Sequence, residues 1–257
     1  MFETITAAFR DLPQIEAIAL GGSRAGICYD EKSDYDVYLY CTAPIPEDIR
    51  REILSRCCSY MEIGNHFWEL EDNCTLKNGI DIDILYRNLD DFLQEVSFVA
   101  EEHIPRNGYT TCMWHNLNTC RILFDRNGRL TEARHRFHIP YPPQLKQNII
   151  EHNRKLLHGT LPAYDGQILK AVSRQDLISV NQRVSAFLES YFDILFALNE
   201  QTHPGEKRLI PLAKERCAIL PRDFENNLNA LLSHLFAEPE LIADDLTAIL
   251  QELEKIL

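Results

Sequence analysis

Apolar positions recur at helical spacing from the start of the chain, where Ile5, Ala8 and Phe9 predict a helix over residues 2–10, stopped by Leu12-Pro13. Residues 15–20 are short, mostly apolar and closed by Gly21-Gly22, the pattern of a buried strand that ends in a tight turn. Residues 29–33 are polar and turn-rich, and 35–40 alternate as a second strand. Pro46-Glu47 opens a predicted helix over 46–60, with Ile49, Ile53 and Leu54 on one side. Period-two patterns predict strands at 66–70 and 80–86, and helical spacing returns over 89–99. Arg126-Asn127-Gly128 supplies turn chemistry for a hairpin across 111–130. Strands interspersed with helices predict an α/β or α+β layer arrangement.

Pro140, Pro142 and Pro143 resist both helix and central strand, so the predicted boundary divides the chain into domains 1–138 and 139–257. Beyond it helices dominate, at 148–157, 168–172, 180–199, 221–236 and 239–257. The clearest apolar stripe, Val184, Phe187, Tyr191, Leu195 and Leu198, reads as core.

Composition narrows the classes of function. A hydrophobic fraction of 45% with 25% charged residues fits a folded globular chain of 257 residues. The net charge of -13 opposes the broad basic surface that long nucleic acids or anionic membranes require, so small or local partners are expected. In the second half, every basic residue except Lys255 lies between Lys146 and Arg222. Eight cysteines form no CxxC pair, the N-terminus carries neither a basic leader nor an apolar stretch, and no segment reaches membrane-span length. Reduced thiols and a cytoplasmic location are the expectation.

The chemistry concentrates in Gly21-Gly22-Ser23-Arg24-Ala25-Gly26 and, shortly after, Ser33-Asp34-Tyr35-Asp36-Val37. A buried strand ending in Gly-Gly-Ser lets backbone approach a ligand, and a helix beginning at Ser23 would offer its free N–H groups to phosphate. Asp34 and Asp36, two apart on a strand, project from one face. Side-by-side carboxylates repel unless a cation neutralises them, and such hard oxygen ligands suit Mg²⁺ or Mn²⁺ with phosphates completing the shell. A second acidic strand sets Asp81 and Asp83 on one face and Ile80, Ile82 and Ile84 on the other. Either aspartate could complete a triad for two ions, roughly 4 Å apart, that serve an in-line phosphoryl displacement. The glycine segment is neither a dinucleotide fingerprint, lacking glycine at position 23, nor a P-loop.

This ordered set resembles the DNA polymerase beta-like nucleotidyltransferase superfamily, whose signature is Gly-Ser, then Asp-x-Asp, then a third Asp on a later strand. The matching positions are Gly22, Ser23, Asp34, Asp36 and Asp83. The second half is similar to the helical domains of small bacterial members, antibiotic nucleotidyltransferases among them. The resemblance implies a mixed sheet flanked by helices, followed by an all-helical domain. It further implies that Gly22 and Ser23 cradle a nucleoside triphosphate, that Asp34 and Asp36 hold two Mg²⁺ ions, and that Asp83 holds the ion nearest the nucleophile. The implied reaction moves a nucleoside monophosphate, AMP from ATP in the first instance, to a hydroxyl of a small molecule or protein and releases pyrophosphate. Arg24, Arg174, Lys170 and Lys207 are candidates to neutralise phosphate charge, in keeping with the cleft that such relatives form between their two halves.

Two other functions compete. The same fold could serve as a non-catalytic, antitoxin-like partner acting through protein contacts, and a homodimer is compatible with the sequence. A nucleic-acid end-adding enzyme would share the acidic core but needs a basic track, which the charge balance opposes.

Overall fold

The structure is a computed structural model that describes residues 1–25, 33–67 and 69–257. Contacts divide the chain into one unit of Met1–Ser97 with Asn116–Ile139, and another of Phe98–His115 with Pro140–Leu257. Residues 98–115 therefore pack with the second unit, whereas the predicted domains place them in the first.

In the first unit, α1 (Phe2–Arg10) precedes β1 (Ile15–Leu20), a single helical turn α2 (Gly22–Ala25), β2 (Tyr35–Cys41) and α3 (Glu47–Ser55). β3 (Cys58–Asn65), β4 (Leu70–Leu76), β5 (Asp81–Arg87), β6 (Arg121–Asp125) and α6 (Arg129–Phe137) complete it, while α4 (Leu89–Ala100) and α5 (Cys112–Thr119) each have residues in both units. The six strands form one mixed sheet in the order β3-β4-β5-β2-β1-β6, with β2 and β5 parallel and the other pairs antiparallel. β1 is buried along its whole length, its apolar run interrupted only by Glu16, which is itself buried and paired with Arg129. Helix α1 packs Ile5 and Phe9 into the same core as Ile18, Leu39 and Ile84.

Three predicted elements differ from the structure. The helix predicted over 46–60 stops at Ser55, because from Cys58 the chain pairs with β4 as an edge strand with Tyr60 and Glu62 outward. Of the strand predicted over 66–70, only Leu70 is strand among the described residues; it opens β4, a strand hidden by its polar letters. Within it Asp72 is fully buried because it pairs with Arg50 and accepts from Tyr86 Oη (2.7 Å) and Gly64 N (2.9 Å). The hairpin predicted across 111–130 is α5, β6 and the start of α6. β6 pairs with β1, far away in sequence, and Gly128 (φ 75°) takes the left-handed conformation at the N-cap of α6. Most of the turn predicted at 29–33 lies outside the described residues.

The second unit is helical: α7 (Pro143–Leu157), α8 (Tyr164–Ser173), α9 (Leu177–Leu198), α10 (Leu209–Arg216), α11 (Phe224–Ala237) and α12 (Ile242–Glu254). The apolar stripe of α9 forms the centre of its core, where Val184, Phe187, Tyr191 and Leu195 are buried with residues of α8, α11 and α12. α10 was not predicted; Pro211 sits in its first turn, where no intrahelical N–H is lost. Among the described residues no helix is long and apolar enough to cross a membrane. The fold is thus a mixed sheet flanked by helices followed by a helical region, the class expected from sequence.

Candidate active site

The parallel pairing of β2 with β5 sets Asp36 directly beside Asp83. Paired residues share a face, and adjacent strands lie about 4.8 Å apart, so these two carboxylates stand side by side. Asp34 is exposed, one residue ahead of β2, at the same end of the strand. The β1–α2 turn closes on this row from the neighbouring strand. Gly21 N donates to Asp36 O at 2.7 Å, and Ala25 N to Gly21 O at 3.2 Å, which forms the single turn of α2.

Both glycines are dictated by side chains of β2. A Cβ on Gly21 would fall 2.3 Å from the Tyr38 ring, and one on Gly22 would fall 1.7 Å from Asp36 Oδ2. Gly22 also has φ +58°, a region that side-chain-bearing residues enter at a cost. The backbone of the glycine-serine turn therefore lies directly against the carboxylate of Asp36. Ser23 is exposed on α2. Arg24 donates from Nε to Ser33 O (2.5 Å) and lies 4.1 Å from the ring centroid of Tyr35, which stacks on Phe2 at 4.3 Å. Arg24 thus ties the turn to the start of β2.

Sequence reasoning missed Asn73. It is the cross-strand partner of Asp83 on β4, and its Nδ2 donates to Asp83 Oδ1 at 2.8 Å, while its own Oδ1 accepts from Asn65 Nδ2 at 2.7 Å. This relay orients the carboxylate of Asp83. The alternation of Asn73 with Glu71 and Thr75 along residues 70–76 was the available signal. Asp81 is exposed and accepts from Thr75 Oγ1 at 2.7 Å. Further along the same face, Tyr38 and Arg87 close the row: Arg87 Cζ lies 4.2 Å from the Tyr38 ring centroid, and its guanidinium makes two 2.6 Å bonds to Glu69. Burial, partly offset by Arg87, raises the pKa of Tyr38. Among the described residues, no group of three or more His, Cys, Asp or Glu is drawn together as a ready metal cluster. What the sheet brings together is the Asp36–Asp83 pair, with Asp34 next to it in sequence and outside the ladder.

Arg174 and Lys207 belong to the second unit. Arg174 caps the C-terminus of α8, and Lys207 is exposed in the loop before α10. Sequence reasoning also missed a buried polar knot in this unit. Asp193, 1% exposed, accepts from Thr110 N (3.0 Å), Thr110 Oγ1 (2.6 Å) and Asn153 Nδ2 (3.1 Å), which secures residues 106–110 to α7 and α9. Thr111 Oγ1 accepts from His203 N (2.7 Å), and His115 Nδ1 meets Thr202 Oγ1 (2.7 Å).

Burial raises the pKa of Asp193 to about 7 and lowers those of His115 and His203 to about 4 and 3. The signs oppose each other. The histidines contribute stability above 6.5 that is lost as pH falls towards 4 and 3; Asp193 contributes stability below 3.8 that is lost as pH rises towards 7. Between pH 4.5 and 6 unfolding takes up histidine protons and releases one from Asp193, so the two contributions to the pH slope of stability oppose each other. In Asp193→Asn the opposing release is removed, so the slope of unfolding free energy against pH, from urea titrations across that window, is expected to steepen. An unchanged slope would rule out a protonated Asp193.

The family model of a domain of unknown function (DUF4037) matches residues 110–209, a span that includes Thr110, Asn153, Asp193 and His203 of this knot. No curated protein matches the chain. Among solved structures, the chain is similar to a nucleotidyltransferase-like protein from Exiguobacterium sibiricum at 14% identity and a TM-score of 0.44, over 99% of this chain and 72% of that one. It is also similar to an aminoglycoside 6-adenyltransferase from Bacillus subtilis (9%, TM-score 0.30, 98% and 90%). A further similarity is to the CCA-adding enzyme of Thermotoga maritima in complex with tRNA (13%, TM-score 0.28, 98% and 81%). Similarities this distant carry no argument by themselves, and the reading of the site rests on the chain's own residues.

Proposed function

We propose that this protein is a nucleotidyltransferase that moves a nucleoside monophosphate, AMP from ATP in the first instance, to a hydroxyl of a small molecule or protein and releases pyrophosphate. The observation that carries the reading is the approach of the Gly21-Gly22 backbone to Asp36, which is itself paired with Asp83. A glycine turn lying against one of two paired carboxylates suits a phosphate chain bound beside both, with cations between phosphate and acid. The donors available, Asp34, Asp36 and Asp83, are hard oxygen ligands of the kind that Mg²⁺ or Mn²⁺ takes, and adjacent like charges are relieved by a cation. Bound there, two such ions would neutralise phosphate charge and favour the attacking and departing oxygens.

The remaining roles fall to the chain's own groups. Gly22 and Ser23 offer backbone and hydroxyl to the triphosphate; one helical turn has little dipole, so the benefit is local N–H donation. Arg24, which donates to Ser33 O and so holds the turn in place, is assigned to screen phosphate charge. Asp83 is preferred over Asp81 because it is the one in register with Asp36 and held by Asn73. Asn73 is a positioning residue, and Asn73→Ala is expected to lower turnover about 10- to 100-fold and to raise the Mg²⁺ concentration needed for half-maximal activity. Asn73→Asp, which keeps the size and loses the donor, should not restore it.

The test is incubation of the purified protein with labelled ATP, Mg²⁺ and pooled small-molecule and protein acceptors. Pyrophosphate and a labelled adduct, both abolished by a chelator, are expected. Absence of turnover with every triphosphate and pool, alongside recovery of a stoichiometric protein partner from native cells, would favour the non-catalytic alternative.

A further inference from the structure

Where α8 turns into α9, Lys170, Arg174 and Arg183 line a cavity of about 170 Å³ together with Gln167, Asp176 and Ser179. The turn is well determined by its backbone. Gln175 adopts a left-handed φ of 56°, and the amides of Arg174 and Asp176 both bond to Ala171 O at 3.1 Å. Asp176 caps α9, accepting from Ser179 N (3.1 Å) and Ser179 Oγ (2.6 Å), and these bonds hold its carboxyl ionised below the usual range. The helix start is therefore already satisfied from within the chain.

Three cations around one carboxylate leave an excess of two positive charges in a chain whose net charge is -13. Among the described residues neither Lys170 nor Arg174 has a carboxylate within ion-pair distance, although they stand four apart, where like charges repel. The negative end of the α8 dipole accounts for those two cations. It does not account for Arg183, which enters the cavity wall from α9 with its Nη1 held by Gln167 Oε1 at 2.5 Å. The cavity is also well below the roughly 300 Å³ that drug-sized ligands begin to need.

We infer that this cavity binds a phosphate group, with Arg174 and Arg183 as forked donors and Lys170 as a point charge. The pocket lies wholly within the second unit, and its existence does not depend on transfer chemistry. The phosphate could be a single phosphoryl group or part of a polyphosphate chain.

The experiment is calorimetric titration of the full chain with tripolyphosphate and with inorganic phosphate, at low ionic strength and with chelator present so that no metal bridges the acidic site. Saturable tripolyphosphate binding is expected, weakened at least tenfold in Lys170→Ala/Arg174→Ala and in Arg183→Gln and unchanged in Asp36→Asn. Competition by inorganic phosphate points to a single phosphoryl group, and its failure to compete points to a polyphosphate chain; both support the pocket. Absence of binding, equal binding by the Lys170→Ala/Arg174→Ala variant, or loss in Asp36→Asn overturns it. Binding intact in a protein without transfer activity would separate failure of the catalytic reading from failure of this one.

Discussion

Asp36→Asn is expected to reduce nucleotidyl transfer by on the order of 10³, since removal of even one preorganised stabiliser of a charged transition state costs 10² to 10³. The substitution is nearly isosteric, and Asp36 holds the Gly21 amide through its backbone oxygen, which asparagine retains. Its neighbour Asp83 loses a like charge, so the unfolding midpoint should be unchanged or slightly raised. Loss of activity with full stability assigns the effect to the charge. Wild-type turnover in Asp36→Asn would end the metal-carboxylate reading.

Gly22→Ala should disable the same site without touching an ionisable group. Its Cβ would fall 1.7 Å from Asp36 Oδ2 and 2.7 Å from Asp36 Cγ, so either the carboxylate or the turn must move. A misplacement of about 1 Å at reacting groups costs roughly 10²-fold. The left-handed backbone of Gly22 adds a stability cost of about 1–3 kcal/mol. Gly128→Ala provides the control, because it has φ +75° with nothing within 4 Å of the new Cβ. That variant should lose comparable stability and keep its activity. Equal activity losses in the two would mean that Gly22 matters only for folding.

Residues that announce themselves through periodicity or turn chemistry were legible before any coordinates. The mostly apolar run of β1, the Gly21-Gly22 turn and the β2 alternation all came from local rules, and those elements end within a residue of where they were predicted. What sequence concealed depended on partners far along the chain. β4 reads as polar because Asp72 is buried against Arg50, and Asn73 gains meaning only once β4 lies beside β5. The Arg126-Asn127-Gly128 turn was recognised as a turn, but β6 pairs with β1 rather than with a hairpin partner. In the second unit, Asp193 interrupts the apolar stretch from Tyr191 to Leu198 of α9, and the local pattern shows it only as a break in hydrophobicity. Its partners, Thr110 and Asn153, come from two other segments, a juxtaposition no local pattern encodes. For the acidic site, the choice between Asp81 and Asp83 turns on strand register, which the residue pattern leaves open.

Crystals grown with Mn²⁺ and a nonhydrolysable triphosphate, with data collected at the manganese edge, put the central claim to the most direct test. Anomalous peaks are expected between the carboxylates of Asp36 and Asp83, shared with Asp34, with the phosphate chain lying over Gly22 and Ser23. Manganese bound elsewhere, or a triphosphate ordered away from that turn with Asp36 and Asp83 unligated, would contradict the account.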